Sequence, residues 1–421
     1  MSFLPEPLRI ADFRAFVTAR LATTIAQMAM VIVIGWQVYD IARETMGINA
    51  AALRLGFIGV VQFVPLFALT LVSGHVADRF DRRVIARAAL ALELFCAAAL
   101  GALALSGAMT LTALYLIAAL LGVARAFAGP ALSALAPNIV PRAMLPRAIA
   151  LSSMAWQAGT IVGPAIGGYL YVVSAATAYF GSAALFALAL ACLFLVRTPA
   201  RAETSENPDP WGRIKRGLLY VRENRLVLGA ISLDLFAVLL AGATAMLPIF
   251  ARDILGTGPE GLGHLRAAPA VGATLTAAFF TFRPLKSNVG TKMLWAVAVF
   301  GAATVAFGLS RNMTVSLASL AILGAADMFS VYVRQSLIQL YTPDAMRGRV
   351  GAVSTLAISA SNELGEAESG FLAALIGPVA AVIAGGVGAM AVVALWAWRF
   401  PELRLARNFD PPDPDQQERS P

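Results

Sequence analysis

Eight charged side chains sit inside stretches otherwise built from small and apolar residues: Arg20, Glu93, Arg125, Asp234, Asp327, Glu363, Glu366 and Glu368. A charge in apolar surroundings is costly, so it is kept where it meets a cavity, a partner or an ion path. Glu363 and Glu366 are three residues apart, and a helix places them on one face. Two carboxylates crowded in a dry site cannot both ionise at low cost, which is what a proton-coupling site requires. Arg125 supplies the opposite charge that resets such a carboxylate when its proton leaves. Asp234 and Asp327 are further acids of this kind. A static buried ion pair or a helix contact is the rival use of each. Glu93 reads as a contact between neighbouring helices, and Glu368 as facing a different side from Glu366.

Other chemistry is missing. No Gly-x-x-x-x-Gly-Lys-Ser/Thr string is present, so uphill work must draw on an ion gradient or another subunit. No serine-centred elbow, His-Glu-x-x-His string or paired-cysteine site appears either. Cys96 and Cys192 lie in apolar stretches and read as inert core residues. His75 and His264 are too far apart to suggest a metal site. No enzyme activity, cofactor or metal is expected. The net charge of +8 would suggest nucleic acid in a soluble protein. Here the bases flank apolar stretches, and membrane orientation accounts for them better.

The elements that carry these charges are long. Of 421 residues, 59% are hydrophobic and 13% charged, against about 25% charged in a soluble domain. A helix needs about 20 residues to cross a hydrocarbon layer of about 30 Å, and helices satisfy their own backbone there. Twelve stretches meet that length: 14–40, 53–76, 84–106, 110–136, 147–173, 176–196, 224–251, 262–282, 291–310, 314–341, 349–376 and 378–400. The sequence predicts an all-α membrane protein. Arg79, Arg82 and Arg83, then Arg142 and Arg147, the stretch from Arg197 to Arg225, then Arg283, Lys286 and Lys292, and finally Arg347 and Arg349 occupy alternate gaps. The positive-inside rule then puts both termini in the cytoplasm. The polar N-terminus shows no cleaved signal peptide.

The expected domains are a six-helix bundle over 1–197, a cytoplasmic linker over 198–222, a second six-helix bundle over 223–407 and a disordered tail over 408–421. The basic part of the linker suits an amphipathic helix at the membrane surface, with Trp211 and Tyr220 at headgroup level; a solvated linker is the alternative. The two halves repeat at an offset of 202 residues. Pro141-Arg-Ala-Met-Leu-Pro-Arg147 matches Pro343-Asp-Ala-Met-Arg-Gly-Arg349, and Gly122, Phe127, Gly163 and Gly168 match Gly324, Phe329, Gly365 and Gly370. Arg125 and Asp327 hold equivalent positions. Repeated halves are a design of secondary transporters, with the site near the midplane between them.

Gly159, Gly163 and Gly167 recur every four residues, so one helix face is bare and another helix can approach closely. Pro164 adds a local kink and a freed carbonyl. Asp78 ends a helix among Arg79, Arg82 and Arg83. A carboxylate there can accept charge-assisted hydrogen bonds or sit at another helix's N-terminus, and so lock the halves together. Tight packing alone, or topology alone, is the plainer use of these two features.

Three strings carry a resemblance. Gly74-His-Val-Ala-Asp-Arg-Phe-Asp-Arg-Arg83 resembles the loop signature of the major facilitator superfamily. Gly159-Thr-Ile-Val-Gly-Pro-Ala-Ile-Gly-Gly168 is similar to its exporter-associated motif, and Arg125-Ala-Phe-Ala-Gly129 to its Arg-x-x-x-Gly motif. Asn362-Glu-Leu-Gly-Glu-Ala-Glu-Ser-Gly370 looks like the bacterial branch of enterobactin and macrolide exporters. Asp81 stands where the signature has glycine, and the loop after 282 lacks the acid.

The resemblance covers about residues 12 to 400 and implies two pseudo-symmetric six-helix bundles in a bacterial inner membrane. It implies that the first span of each triplet lines the cavity, so Arg20, Gln27, Gln37 and Arg334 join the lining candidates. The gating candidates, from the charge cluster and the bare helix face above, are Asp78, Arg79, Arg82, Arg83, Gly159, Gly163, Pro164, Gly167 and Gly168. The expected function is export of a small amphipathic organic molecule by proton antiport with alternating access. An importer of the same fold and a non-transporting membrane sensor or scaffold are the alternatives. The partners are a small-molecule substrate, protons and the lipid bilayer; nothing specifies an oligomer.

Overall fold

In the computed structural model, residues 5–198, 210–283, 285 and 287–409 are described. Asp78 and Arg79 fall in a helix, but their side chains lie outside what is described, as does the expected tail beyond Phe409. Among the described residues there are helices and no strands.

Polar side chains cap several of the helix starts, because the first turn of a helix leaves its N–H groups unpaired. The first half holds α1 (Ala11–Thr45), α2 (Ile48–Arg79), α3 (Arg82–Leu105), α4 (Leu111–Ile139), α5 (Leu145–Val173) and α6 (Ala175–Leu195). Asp81 caps α3 by accepting from the Arg83 amide at 2.9 Å, and Ser174 caps α6 from the Thr177 amide at 2.9 Å. Asp81, the departure from the superfamily loop, therefore has a local task. Next comes α7 (Pro210–Glu223). It packs Val221 against Val227, Ile231, Ile338 and Val350, and the Tyr220 hydroxyl donates to the Tyr341 carbonyl at 2.8 Å. Lys215, Arg216 and Arg222 stay exposed. The linker helix thus forms and docks on the second half.

The second half holds α8 (Arg225–Leu240), the three-residue α9 (Leu247–Ile249), α10 (Pro259–Phe282), α11 (Val289–Leu309), α12 (Met313–Leu340), α13 (Asp344–Ile376), α14 (Pro378–Arg399) and the short α15 (Pro401–Leu405). One expectation is corrected here. The stretch 224–251 is not a continuous helix. It ends at Leu240, turns at Ala241 and Gly242, and resumes as a tight turn, α9 and a wide turn that runs to Ile254. Gly242 lies against the Gly365 carbonyl and the Ser369 hydroxyl of α13, so no larger residue fits at the bend.

Among the described residues ten helices are long and apolar enough to cross a membrane. Helices α5 and α13 are not among them: serines, Gln157 and glycines dilute the first, and Glu363, Glu366 and Glu368 the second. At 29 and 33 residues both are still long enough to span. Each packs against helices of both halves, and with them the spans number twelve.

The halves meet along two seams, α2 against α13 and α5 against α10. Glycine makes both possible. A Cβ on Gly56 would lie 2.6 Å from the Gly370 Cα, and one on Gly263 would lie 2.6 Å from the Pro164 carbonyl oxygen. The end of the molecule that carries the start of α1, Arg197 and α7 is called the base. The end that carries Thr45, Ile48, Val173, Pro259 and Ile376 is called the far end.

Candidate functional site

The expected charges fall into three groups, and only one of them joins the halves. Arg125 projects from the middle of α4. One guanidinium nitrogen donates to the Gln62 side-chain oxygen of α2 at 2.8 Å, and another lies 3.3 Å from Glu363 of α13. Glu363 is nearly buried, with 11% of its side chain exposed. Glu366, one turn further along α13, lies 3.5 Å from Arg266 of α10, which also donates to the Thr244 carbonyl. Helices α2, α4, α10 and α13 thus bring two acids and two arginines together at the seam.

The second group is inside the second bundle. Asp234 of α8 forms an ion pair with Arg334 of α12, with only 8% and 2% of the side chains exposed. Asp327 shares a small void with Asp234, Ser330, Val297 and Phe300. Arg334 was expected to line the cavity; its pairing with Asp234 turns it into the bundle instead. Asp234 and Asp327 face the same interior.

The third group is inside the first bundle. The Gln27 amide of α1 donates to Glu93 of α3 at 2.6 Å, and Glu93 is fully buried. This is the helix contact expected for Glu93. Gln37 is likewise engaged inside its bundle, where it accepts from the hydroxyl of fully buried Tyr179 of α6 at 2.5 Å. Arg20 precedes Gln27 by two helical turns and so shares its face of α1. Its buried Nε has no hydrogen-bond partner among the described residues.

The gating candidates also divide. Gly159, Gly163 and Gly167 face α1, where their Cβ atoms would meet Thr24, Met28 and Ala29 at 2.6–2.8 Å. That contact lies within the first half. Gly168 and Pro164 face α10 of the other half, against the Pro259 carbonyl and Gly263. Arg83 clamps the base of its own half: it pairs with Asp81 at 2.7 Å and donates to the Arg197 carbonyl at 2.5 Å. Arg82 opens α3.

Sequence reasoning missed a cluster at the far end. Arg252 lies 2.5 Å from Asp40, Asp253 lies 3.4 Å from Arg43, and the Tyr39 hydroxyl donates to Asp253. Each contact joins the end of α1 to the turn after α9. The Tyr169 hydroxyl meets the His264 ring at 3.0 Å nearby. A hydroxyl and opposite charges at the ends of the first spans of each half are the signal that the sequence offers for this cluster. Gln157 bonds Thr274 at 2.7 Å nearer the middle. Where both partners are described, every polar contact between the halves lies between the middle and the far end.

A two-bundle helical fold with a charged seam defines a membrane transporter of the major facilitator type rather than an enzyme. Residues 4–414 match the family described as transmembrane secretion effector, and the chain belongs to it. Among curated relatives it is similar to the enterobactin exporter EntS of Escherichia coli O1:K1, at 26% identity over 95% of this chain and 94% of that one. The counterpart in Shigella boydii serotype 18 matches equally well. Among solved structures, a bacterial homolog of the human lysosomal transporter Spinster, inward-facing and occupied, aligns with a TM-score of 0.73 at 14% identity over 95% of this chain and 99% of that one. An auto-inhibited POT-family peptide transporter aligns with 0.75 at 11% identity over 96% and 99%. At these identities the solved structures speak for the fold.

Proposed function

We propose that the protein exports a small, partly apolar organic molecule of the siderophore kind from the cytoplasm, exchanging it for protons. The observation that carries this reading is the Arg125–Glu363 pair, an ion pair that joins the two halves in mid-membrane. The enterobactin exporters among the relatives support the direction and the substrate class. The bases near the base end support its placement in the cytoplasm.

In that orientation the far end is the periplasmic side, and it is closed by Gly56 against Gly370, Gly168 against Pro259, and the Asp40–Arg252 and Arg43–Asp253 pairs. The protein is then held facing the cytoplasm. Rocking the halves opens those contacts and brings the base ends together. Glu363 loses its partner when the seam shifts, and an unpaired carboxylate in a dry span is stable only with a proton. Proton binding and release at Glu363 therefore couple to which end is open. Arg20, a span cation whose Nε is unbonded among the described residues, is suited to an acidic or phenolic substrate group. Asp78 and Arg79 keep the gating role that their place at the end of α2 suggests.

The test is uptake of enterobactin into inside-out vesicles. Accumulation should need an acidic lumen and collapse when the pH gradient is dissipated. Glu363→Gln should abolish the gradient dependence. Gradient-driven movement out of the inverted vesicles, or uptake indifferent to pH, overturns the reading.

A further inference from the structure

One cavity lies away from the seam. It is a groove of about 790 Å³ between α10, α11 and α12 near the base, and its walls include Thr276, Phe279, Trp295 and Phe329. That volume is typical of a small-molecule site. The groove faces away from the other half. Helix α10 meets α5 through Ala270 and Thr274, which bond Gln157. Thr276, Phe279 and Arg283 lie on the opposite side of the same helix, because two residues turn it by about 200°. Trp295 and Phe279 are 69% and 54% exposed. In a spanning protein such a surface meets lipid.

One end of the groove is charged. Arg283 directly follows α10, and Lys292 lies in the first turn of α11. Both line the cavity, and neither has an ion-pair partner among the described residues. Both sit at the level where helix ends emerge from the hydrocarbon, and Trp295 lies within a turn of Lys292, the depth favoured by indole rings. Apolar walls below the two cations match an acyl chain below an anionic headgroup. We infer that this groove is a binding site for one anionic phospholipid, with its phosphate on Arg283 and Lys292 and a chain along Phe279, Trp295 and Phe329.

The full chain, reconstituted in nanodiscs of mixed phosphatidylglycerol and phosphatidylethanolamine, provides the test. Native mass spectrometry would count retained lipids. The wild type should keep phosphatidylglycerol preferentially. The double variant Arg283→Gln and Lys292→Gln should lower that preference on the order of tenfold, and Arg283→Lys with Lys292→Arg should restore it. Thr276→Trp, which fills the groove without altering charge, should also release the lipid. Size-exclusion profiles identify any variant that fails to fold, and the charge-preserving pair then decides. Unchanged phosphatidylglycerol retention in both the glutamine pair and the tryptophan variant overturns the site. So does a tryptophan variant that loses enterobactin binding yet keeps its phosphatidylglycerol, since the groove would then be a substrate entrance.

Discussion

The two halves repeat their glycines in place and in use, but repeat their charges only in place. Gly163 of α5 packs on α1, and Gly365, its counterpart in α13, packs on α8, the first helix of its own half. Gly168 touches α10 across the seam, and its counterpart Gly370 touches α2 across the other seam. Backbone approach is a steric matter, so equivalent helices need equivalent gaps. Arg125 and Asp327 behave otherwise. The long arginine side chain reaches Gln62 and crosses to Glu363, whereas the short aspartate stays within its bundle beside Asp234. The shared frame sets where the bundles meet, and side-chain length at one position decides whether a charge takes part in that meeting. The charged contact between the halves is thus asymmetric in a symmetric scaffold.

The sharpest way to break this comparison is to remove one partner of each charge pair. Asp234→Asn leaves Arg334 buried without its counter-charge, at a cost of about 3–5 kcal/mol. Thermal denaturation in detergent should show a large fall in Tm. Replacing both, Asp234→Leu with Arg334→Met, should recover most of it, as expected for a static pair. The corresponding double replacement at Arg125 and Glu363 should recover stability without recovering transport. If it restores gradient-driven transport, the seam pair is as static as the other and the asymmetry is lost.

The glycines give the next effect. Valine at either Gly163 or Gly168 overpacks a tight contact at about 1–3 kcal/mol. At Gly163 the strain stays inside the first half, and only Tm should fall. At Gly168 the added atoms push against Pro259 of the other half, so the far end should open. Spin labels at exposed Asn49 and Arg311 should report a longer distance in Gly168→Val and an unchanged one in Gly163→Val. Equal distances in the two variants would mean that the repeat glycines have one task, not two.

Much of this was legible in the sequence, for reasons that can be named. The spans follow from apolar length, and the linker helix from its basic and apolar faces. The seam acids follow from the cost of charge in a span. Three features were not legible. The bend at Gly242 looks like any glycine in a run of small residues, since nothing local distinguishes a break from close packing. Gln37 and Arg334 lie on helices expected to line a cavity, but sequence spacing does not say which partner each side chain takes, and Tyr179 and Asp234 decide that from distant helices. Arg252 and Asp253 stand in a gap poor in bases, where a partner 212 residues away on α1 has no local signature.

Asp327 offers a smaller effect that sharpens the same point. Asparagine there preserves shape and leaves the Arg125–Glu363 contact intact, so transport should change by less than about twofold. A loss as large as that of Glu363→Gln would restore Asp327 to the coupling set and make the two repeat positions functional equals.

The smallest expected effect is at the far end. The Asp40 and Arg252 side chains are 41% and 34% exposed, and an ion pair so wetted contributes about 0–1 kcal/mol. Stability should therefore barely respond to Asp40→Asn. For the rocking proposed above, occupancy of the two states is a finer balance, and a fraction of a kcal/mol changes it measurably. Asp40→Arg places two cations face to face and should lengthen the Asn49–Arg311 label distance, more so at low salt than at high salt. Adding Arg252→Asp reverses the pair and should return the distance to that of the wild type. Should the single reversal leave the distance unchanged at every salt concentration, the far end is held by Gly56, Gly168 and Gly370 alone. Closure would then rest on the half of the design that the repeat conserves, with no charge contributing to it.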